Sequence, residues 1–436
     1  MSNVASARPS RRATWAWALW DWAEQPYPTM IQTFIFATYI TSSAFGDKDT
    51  NTSVLSVGSI IASVLVAVSA PIFGRRSDDS GKRKFWLLAN SVILIAIMAL
   101  SYFVFPDPAF LIFGVVLYAI GSVVQETAFI NYYAMLKQVT TKDNMGKVSG
   151  LAWGLGYVGG IILLLVSLVG FVLPDQPWFG ISTDQAENIR VLFLFSAIWM
   201  LVFTIPLAIF VPEVKARNTA AKESILESYK ALWAQLKGLS KHSPDTLRFL
   251  IASAVYRDGL AGVFMYGAIL GSVAFGFSTT QVIFYGIAAN VVAGVGAALG
   301  GWLDNRIGTK TTIVASLTGL LLAGLGVFAF AGAGKITYWI GGLILCLFVG
   351  PAQASSRTFV ARFTPEGREG EIFGIYQTTG KITSFLSPSF WLISTGIATA
   401  AGVAHSAIFG ILGLMVVLGA GLWLLLRVHP NPVMAD

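Results

Sequence analysis

The sequence predicts an all-α membrane protein with twelve transmembrane helices in two six-helix halves. Of its 436 residues, 55% are hydrophobic and 12% are charged, whereas charged residues make up about a quarter of an ordinary soluble domain. Apolar runs of roughly 20 residues, long enough to cross a bilayer, recur along the whole chain. Because the bilayer interior offers no water to the backbone, these runs must be helices. A short motif that occurs once in each half is the third observation.

The motif contains two glycines, acidic residues and clustered bases. Its copies cover residues 74–84 and 301–310, the two glycines of each copy are seven residues apart, and the copies are offset by 227 residues. We therefore expect an internal duplication in which each copy follows the second hydrophobic segment of its half. The defining residues are Gly74, Asp78, Gly81 and Arg83 in the first copy and Gly301, Asp304, Arg306 and Gly308 in the second.

This motif resembles the cytoplasmic signature of the major facilitator superfamily, which lies between membrane helices two and three. The resemblance implies that the first copy controls the inward gate. Asp78 would cap the adjoining helix and pair with a cation from across the half, while Arg83 would anchor the neighbouring loop. A rival interpretation is that the bases only fix the topology. Asn305 stands where the first copy has Asp78, so the second copy is expected to form a weaker latch.

Hydropathy divides the chain into twelve predicted spans, at residues 14–42, 53–73, 85–105, 109–136, 148–173, 189–211, 246–271, 279–300, 311–330, 336–362, 372–397 and 403–427. The N-terminal half is predicted at 1–211 and the C-terminal half at 246–436. The polar linker at 212–245 carries apolar and basic residues at helical spacing. This pattern predicts either an amphipathic helix on the inner leaflet or a solvated linker helix.

The positions of Lys and Arg predict the orientation. The termini and the loops after even-numbered spans hold 23 of the 29 basic residues, whereas the opposite loops hold Lys48, Arg190 and Lys335. Because Lys and Arg are concentrated in cytoplasmic loops, both termini and both motif copies are predicted to be cytoplasmic. We expect a multi-pass protein of the cell membrane, in a bacterium the inner membrane. This asymmetry accounts for the net charge of +7, so the charge does not indicate a nucleic-acid partner.

Several features speak against an enzyme. The single Cys346 excludes an intrachain disulfide, and His242, His405 and His429 show no metal-ligand spacing. The chain has no phosphate-binding loop and no serine nucleophile elbow. We expect no catalytic residues, no metal and no cofactor. The expected partners are the lipid bilayer, a small-molecule substrate and, as a further candidate, protons, with the chain acting as a monomer.

Seven ionisable residues fall within the predicted spans, where charges are costly and usually mark a pathway or an ion pair. Six of them lie on spans 1, 4, 7 and 10, which line the central cavity in the major facilitator superfamily. The seven residues comprise four acids and three bases, and this near balance favours ion pairs over isolated charges. The candidate substrate or proton pathway consists of Asp21, Glu24, Gln25, Glu126, Arg257, Asp258, Gln353, Arg357 and Lys381.

Span 1 contains a predicted break in the helix. Pro26 and Pro28 remove backbone donors, so the helix is expected to kink or end just before them. Transporters use interrupted helices beside acidic residues to hold cations or substrate amines. The four Trp residues of the span, at positions 15, 17, 20 and 22, are expected to form an interfacial belt.

The roles of the acidic residues stay open between two interpretations. Glu24 and Glu126 are candidate proton carriers because burial favours the neutral carboxyl group. Alternatively, the acids are permanently ionised partners of bases such as Arg257, Arg357 and Lys381. Arg357 itself lies five residues before Arg362, so it either faces the cavity or extends to the inner membrane interface.

Several segments resemble the bacterial relatives of the vacuolar amino-acid effluxer family. They are residues 17–23, 147–160, 351–357, 373–374 and 381–388, and the resemblance extends over essentially the whole chain. It implies a twelve-helix uniporter or proton-coupled permease, with amino-acid export assigned to the fungal branch. In the second of these segments, Gly150 to Gly160 are expected to allow close helix packing rather than to indicate antiport.

A secondary transporter that works by alternating access is therefore predicted. A cavity that holds both signs of charge suits a solute that holds both signs, so a small amino acid or similar zwitterion is the preferred substrate. The rival functions are a proton-coupled permease for sugars or amphipathic compounds and a non-transporting membrane receptor on the same fold.

Overall fold

A computed structural model describes residues 10–213, 237, 244–403 and 405–429. The regular secondary structure of the described residues is helical, and nine of their helices are long and apolar enough to cross a membrane by themselves. Except for Lys237, the predicted amphipathic helix of the linker lies outside the described residues. The division of the chain at residues 212 and 245 therefore stays a prediction.

The N-terminal half contains six spanning units. Their helices are α1 (Arg11–Glu24), α2 (Lys48–Ser80), α3 (Arg83–Ser101), α4 (Leu111–Ala134), α5 (Met145–Ser167) and α6 (Glu187–Phe210). After α1 the chain continues as a π-helical segment, Tyr27–Phe34, and a short helix, Phe36–Ile40. The break predicted before Pro26 is thus confirmed, because Pro26 and Pro28 cannot donate the backbone hydrogen bonds that would continue α1.

The C-terminal half repeats this pattern. Its helices are α7 (Pro244–Ile269), α8 (Thr279–Ile307), α9 (Thr309–Ala329), α10 (Lys335–Phe363), α11 (Glu369–Thr383, continued as Leu386–Ala400) and α12 (Gly410–Leu426). In the first half α1 packs against α5 and α6, α3 against α4 and α6, and α2 against α4. The equivalent pairs pack in the second half, where α7 contacts α11 and α12, α9 contacts α10 and α12, and α8 contacts α10. The predicted fold class is confirmed.

The halves meet chiefly through two helix pairs, α2 with α11 and α5 with α8, and α5 with α10 and α4 with α11 add smaller contacts. The two motif copies lie at the same end of these pairs, which we call the motif end. A methyl group at Gly74 would collide with the backbone of Gly370, and one at Gly150 would collide with Ala297 and Gly301. Only glycine allows these backbones to approach so closely, so the prediction that the α5 glycines serve close packing is confirmed.

The structure corrects the predicted ends of α2 and α8. The motif copies are not loops, because α2 continues to Ser80 and α8 continues to Ile307. Gly81 and Gly308 follow these residues with φ angles of 63° and 89°, which favour glycine and end the helices. Hydropathy indicates where a chain leaves the bilayer, and a helix can extend several residues beyond that point.

Candidate substrate cavity and gate

A cavity of about 240 Å³ lies between the two halves. Its wall includes six of the nine candidate pathway residues, namely Glu126, Arg257, Asp258, Gln353, Arg357 and Lys381. The volume is below the range of roughly 300–1,000 Å³ that holds drug-sized ligands. The size of the cavity therefore favours a small solute.

Arg357 on α10 forms a buried ion pair with Asp21 on α1. Its Nη1 donates to Asp21 Oδ2 at 3.1 Å, while Nε and Nη2 donate to the hydroxyl and the carbonyl oxygen of Ser149 on α5 at 3.0 and 2.7 Å. The side chains of Arg357 and Asp21 are 1% and 6% exposed. Arg357 therefore points into the protein, and the alternative that it extends to the membrane interface is wrong.

Aromatic rings surround this ion pair. The Arg357 guanidinium carbon lies 5.1 Å from the centre of the Trp17 ring and 5.5 Å from that of Tyr132. Trp17 and Tyr132 stack with their centroids 4.3 Å apart, and Trp20 is also fully buried. The predicted interfacial Trp belt is therefore wrong for Trp17 and Trp20. Trp17 lies one turn before Asp21 on α1 and Trp20 directly precedes it, so both rings lie on the side of the helix that packs against the rest of the protein.

A second charged cluster is open to the cavity. Lys381 on α11 pairs with Glu126 on α4 at 2.6 Å, and their side chains are 31% and 18% exposed. Gln377 donates to Glu126 at 2.7 Å and accepts from Arg257 at 2.9 Å. Arg257 also donates to the carbonyl oxygen of Tyr376 and lies over the ring of the same residue, 3.8 Å from its centroid. Among the described residues, Arg257 forms no ion pair with a carboxylate.

Asp258 supports the break in α11. Its Oδ2 accepts a hydrogen bond from the backbone N–H of Ser387 at 2.6 Å, and the Ser387 hydroxyl donates to the Asp258 carbonyl oxygen. The N–H groups in the first turn of a helix have no partner within the helix, and a carboxylate beside them also complements the helix dipole. Asp258 faces the cavity as predicted, and its carboxylate caps the second part of α11 there. The break was not predicted, although Pro388, which has no N–H to donate to the carbonyl oxygen of Ser384, is a sequence signal for it.

Glu24 is buried behind the cavity wall without a base. Gln125 donates to its Oε2 at 3.0 Å and Gln25 donates to its Oε1 at 3.3 Å. The residue is 2% exposed, and the described residues place no Lys or Arg within ion-pair distance of it. Asp21, Glu24 and Gln25 do not line the cavity. Asp21 contacts the lining residue Arg357, whereas the hydrogen bonds of Gln25 lead only to Glu24 and Thr29 within the described part of the chain.

The first motif copy forms a charged latch between the halves at the motif end. Asp78 Oδ1 accepts from Arg83 Nε at 2.9 Å, and the backbone N–H groups of Gly370 and Glu371 donate to its two carboxylate oxygens at 2.9 Å each. Arg83 also pairs with Glu369 at 2.6 Å. Asp78 therefore caps α11 of the opposite half. The helix that Asp78 caps is thus not the adjoining one that was expected, while the cation with which it pairs is Arg83 of its own half.

The second motif copy is arranged differently. Asp304 pairs with Arg362 at 3.1 Å and accepts from Thr309, and all three residues belong to the C-terminal half. Across the interface the Asn305 side chain donates to the carbonyl oxygen of Asp143, which is a neutral contact. Arg306 stacks on Trp302, which lies in its own helix, rather than reaching the other half. The relative strength of the two latches stays a prediction.

Sequence reasoning missed the neutral residues that complete both clusters. Ser149, Tyr133, Gln377 and Ser387 carry no charge, so a search for ionisable residues within spans does not select them. Glu369 was missed because it lies just before the hydrophobic part of α11. In the described part of the chain, no group of three or more His, Cys, Asp or Glu residues is positioned to hold a metal ion.

Comparison with known proteins identifies the family. The family model described as vacuole effluxer Atg22 like matches residues 39–432. The MFS-type transporter YxiO of Bacillus subtilis (strain 168) is 26% identical over 409 residues, and the match covers 92% of each chain. Autophagy-related protein 22-1 of Neosartorya fischeri is 24% identical over 272 residues, which cover 56% of this chain and 42% of that protein.

A solved structure shows the same fold. The proton:xylose symporter XylE, bound to 6-bromo-6-deoxy-D-glucose, superposes with a TM-score of 0.71 at 13% sequence identity. The superposition covers 96% of this chain and 95% of the symporter chain. The chain therefore belongs to the Atg22-like family of the major facilitator superfamily, and it is a multi-pass secondary transporter rather than an enzyme.

Proposed function

We propose that this protein carries a small amino acid or similar zwitterion across the cell membrane by alternating access. The observation that supports this most directly is the charge distribution of the cavity, where Glu126, Lys381 and Arg257 lie together in a space of about 240 Å³. A solute with both signs of charge can satisfy both kinds of group. A sugar would leave Arg257 without a charged partner, and a lipophilic compound would have to desolvate all three charged groups.

The motif end is proposed to face the cytoplasm. Basic residues are concentrated on this side of the predicted topology, as expected of cytoplasmic loops. The latch of Asp78, Arg83 and Glu369 joins the halves there. This arrangement corresponds to the state in which the cytoplasmic gate is closed. Opening of the latch would then be required before the substrate can exchange with the cytoplasm.

Glu24 is proposed as the site that couples transport to protons, and Glu126 as a binding residue. A buried carboxylate is costly unless a cation compensates it. Lys381 compensates Glu126 and Arg357 compensates Asp21, whereas the partners of Glu24 are the neutral amides Gln25 and Gln125. A proton is therefore the simplest way to neutralise Glu24, and its release would follow a change in its surroundings during alternation.

Uptake into proteoliposomes tests the proposed function. The purified protein would be reconstituted and offered a mixed panel of labelled amino acids, sugars and amphipathic cations, with and without a pH gradient. We expect uptake of one or more amino acids and stimulation of this uptake by the gradient. Uptake of sugars alone would contradict the proposed substrate class, and the absence of uptake of any solute would favour a receptor.

A further inference from the structure

Gln377 occupies an unusual position, because it joins two charged residues of opposite sign across the two halves. Its Nε2 donates to Glu126 Oε2 at 2.7 Å and its Oε1 accepts from Arg257 Nη2 at 2.9 Å. A carboxylate can only accept and a guanidinium can only donate, so these partners fix the orientation of the amide. The side chain is 5% exposed and forms part of the cavity wall.

Arg257 has no carboxylate partner among the described residues, although acids lie near it. Lys381 pairs with Glu126 at 2.6 Å. The carboxylate of Asp258, which also lines the cavity, accepts from the backbone N–H of Ser387 and not from Arg257. Arg257 therefore has only neutral hydrogen-bond acceptors, Gln377 and the carbonyl oxygen of Tyr376, among the described residues. Arg257 is therefore the group of the cluster that can receive the carboxylate of a solute.

The ion pair of Arg357 with Asp21 is not equally available. Its side chains are 1% and 6% exposed, and Ser149 satisfies the remaining guanidinium groups. The Glu126 and Lys381 side chains are 18% and 31% exposed. A solute in the cavity can thus reach the cluster around Gln377 without dismantling the buried pair.

The amide of Gln377 is a neutral counterpart of an amino-acid head group. It offers a donor to Glu126 and an acceptor to Arg257, and an α-amino acid offers an ammonium donor and a carboxylate acceptor on a single carbon. Hydrogen bonds between ionised partners are roughly twice as strong as neutral ones. Exchange of the amide for a zwitterion would strengthen both contacts and give Arg257 a carboxylate partner.

We infer that the head group of an α-amino acid binds between Arg257 and Glu126 by displacing the side-chain amide of Gln377. The carboxylate binds Arg257, the ammonium group binds Glu126, and the amino-acid side chain extends along the wall formed by Tyr133, Trp153 and Gln353. This inference rests on the proposed transport of zwitterions and specifies which groups of the protein recognise them. Gln377 is then a positioning residue of the empty site.

Binding of matched analogues to the purified, reconstituted protein tests the assignment. The probes are L-alanine and L-leucine, their counterparts without the amine (propionate and 4-methylpentanoate) and their counterparts without the carboxylate (ethylamine and 3-methylbutylamine). Wild-type protein is expected to bind at least one of the two amino acids more tightly than either of its counterparts. Absence of binding of both amino acids overturns the inference.

Two charge-removing variants assign the ends of the head group. Arg257→Gln is expected to weaken amino-acid binding by about tenfold or more while leaving the binding of the amine counterpart within a fewfold of wild type. Glu126→Gln is expected to weaken amino-acid binding similarly and to spare the carboxylic acid counterpart. Retained binding of the spared counterpart also shows that each variant is folded. Equal losses for all three probes overturn the inference.

Gln377→Leu distinguishes displacement from direct binding. If the amide competes with the head group, its removal leaves amino-acid affinity unchanged or raises it, whereas a direct ligand to the substrate would cost about tenfold. The matched control is Gln32→Leu, because Gln32 also bridges two helices, through Ser122, outside the cavity wall. A tenfold loss in Gln377→Leu and none in Gln32→Leu would overturn displacement.

The outcomes separate this inference from the proposed function. If the mixed panel shows no uptake of any zwitterion, the proposed function fails. If zwitterions are transported but Arg257→Gln and Glu126→Gln keep wild-type selectivity between each amino acid and its counterparts, the transport function stands and the head-group assignment fails.

Discussion

Replacement of Asp78 by Asn removes the charge at the centre of the latch with almost no change in volume. The carboxylate accepts two hydrogen bonds from Arg83 and one each from the backbone N–H groups of Gly370 and Glu371. An Asn side chain keeps one acceptor oxygen and turns its NH₂ group toward donors. If the oxygen stays with Arg83 and Gly370, the N–H of Glu371 loses its acceptor.

The magnitude follows from these four bonds. A buried donor without an acceptor costs about 1–3 kcal/mol, and hydrogen bonds to a charged group are worth roughly 1 kcal/mol more than neutral ones. Allowing for the fact that such terms do not add, the latched state should lose about 3 kcal/mol relative to the open state. This corresponds to roughly a hundredfold change in the equilibrium between the two states. We therefore expect Asp78→Asn to reduce transport while membrane insertion stays intact.

Hydrogen exchange and uptake provide the two assays. Exchange measured on a peptide that contains Gly370 and Glu371 should accelerate strongly in the variant, because the Glu371 amide loses its buried acceptor and the less stable latch opens more often. The matched control is Asp79→Asn, since Asp79 is adjacent but pairs with Arg75 at 3.7 Å in a more exposed position. Such a surface pair contributes about 0–1 kcal/mol. Wild-type uptake together with wild-type exchange in Asp78→Asn would refute the gating role of the latch.

The remaining predictions concern coupling, helix packing and the buried ion pair. Glu24→Gln is expected to abolish accumulation driven by a pH gradient and to preserve substrate exchange at equilibrium, and full accumulation would exclude Glu24 as the coupling site. Gly150→Ala should hold the motif end apart and reduce transport, whereas Gly286→Ala, with open space at that position, should not; equal transport by both variants would contradict the packing argument. Replacement of either Arg357 or Asp21 by a neutral residue leaves the other charge buried without a partner. Each single variant should therefore lose about 3–5 kcal/mol of unfolding free energy in thermal or denaturant unfolding. The double variant should lose less than the sum of the two single losses. Additive losses would show that the two residues do not interact.

The sequence was sufficient for the architecture and for part of the site. The twelve spans, the internal duplication and the break before Pro26 depend on local composition, on a repeated motif and on missing backbone donors, all of which are visible in a single chain. The preference for buried charges to be paired likewise predicted that Arg357 and Glu126 would have partners. Arg357 with Asp21 and Lys381 with Glu126 fulfil this expectation.

The identity of each partner was decided by the tertiary structure. Asp21 and Arg357 are 336 positions apart in the chain, and they meet because α1, α5 and α10 bring one face of each helix to the same depth. The rotation of α1 that directs Asp21 inward also buries Trp17, which contradicts the expected interfacial belt. Glu24 lies one turn further along the same helix and meets amides instead of a base.

The break in α11 has a local and a tertiary cause. Pro388 has no N–H to donate to the carbonyl oxygen of Ser384, so the sequence itself contains a signal for the break. Only the tertiary structure shows that Asp258 of another helix supplies an acceptor to the N–H of Ser387. The role of Gln377 similarly depends on two charged residues from α4 and α7 that approach it from opposite sides. Composition and local pattern determined which segments of this chain enter the membrane, because transfer from water to lipid depends on the segment itself. The charge contacts of the cavity depend on the depth and rotation of helices relative to each other, which the packing of the whole bundle determines.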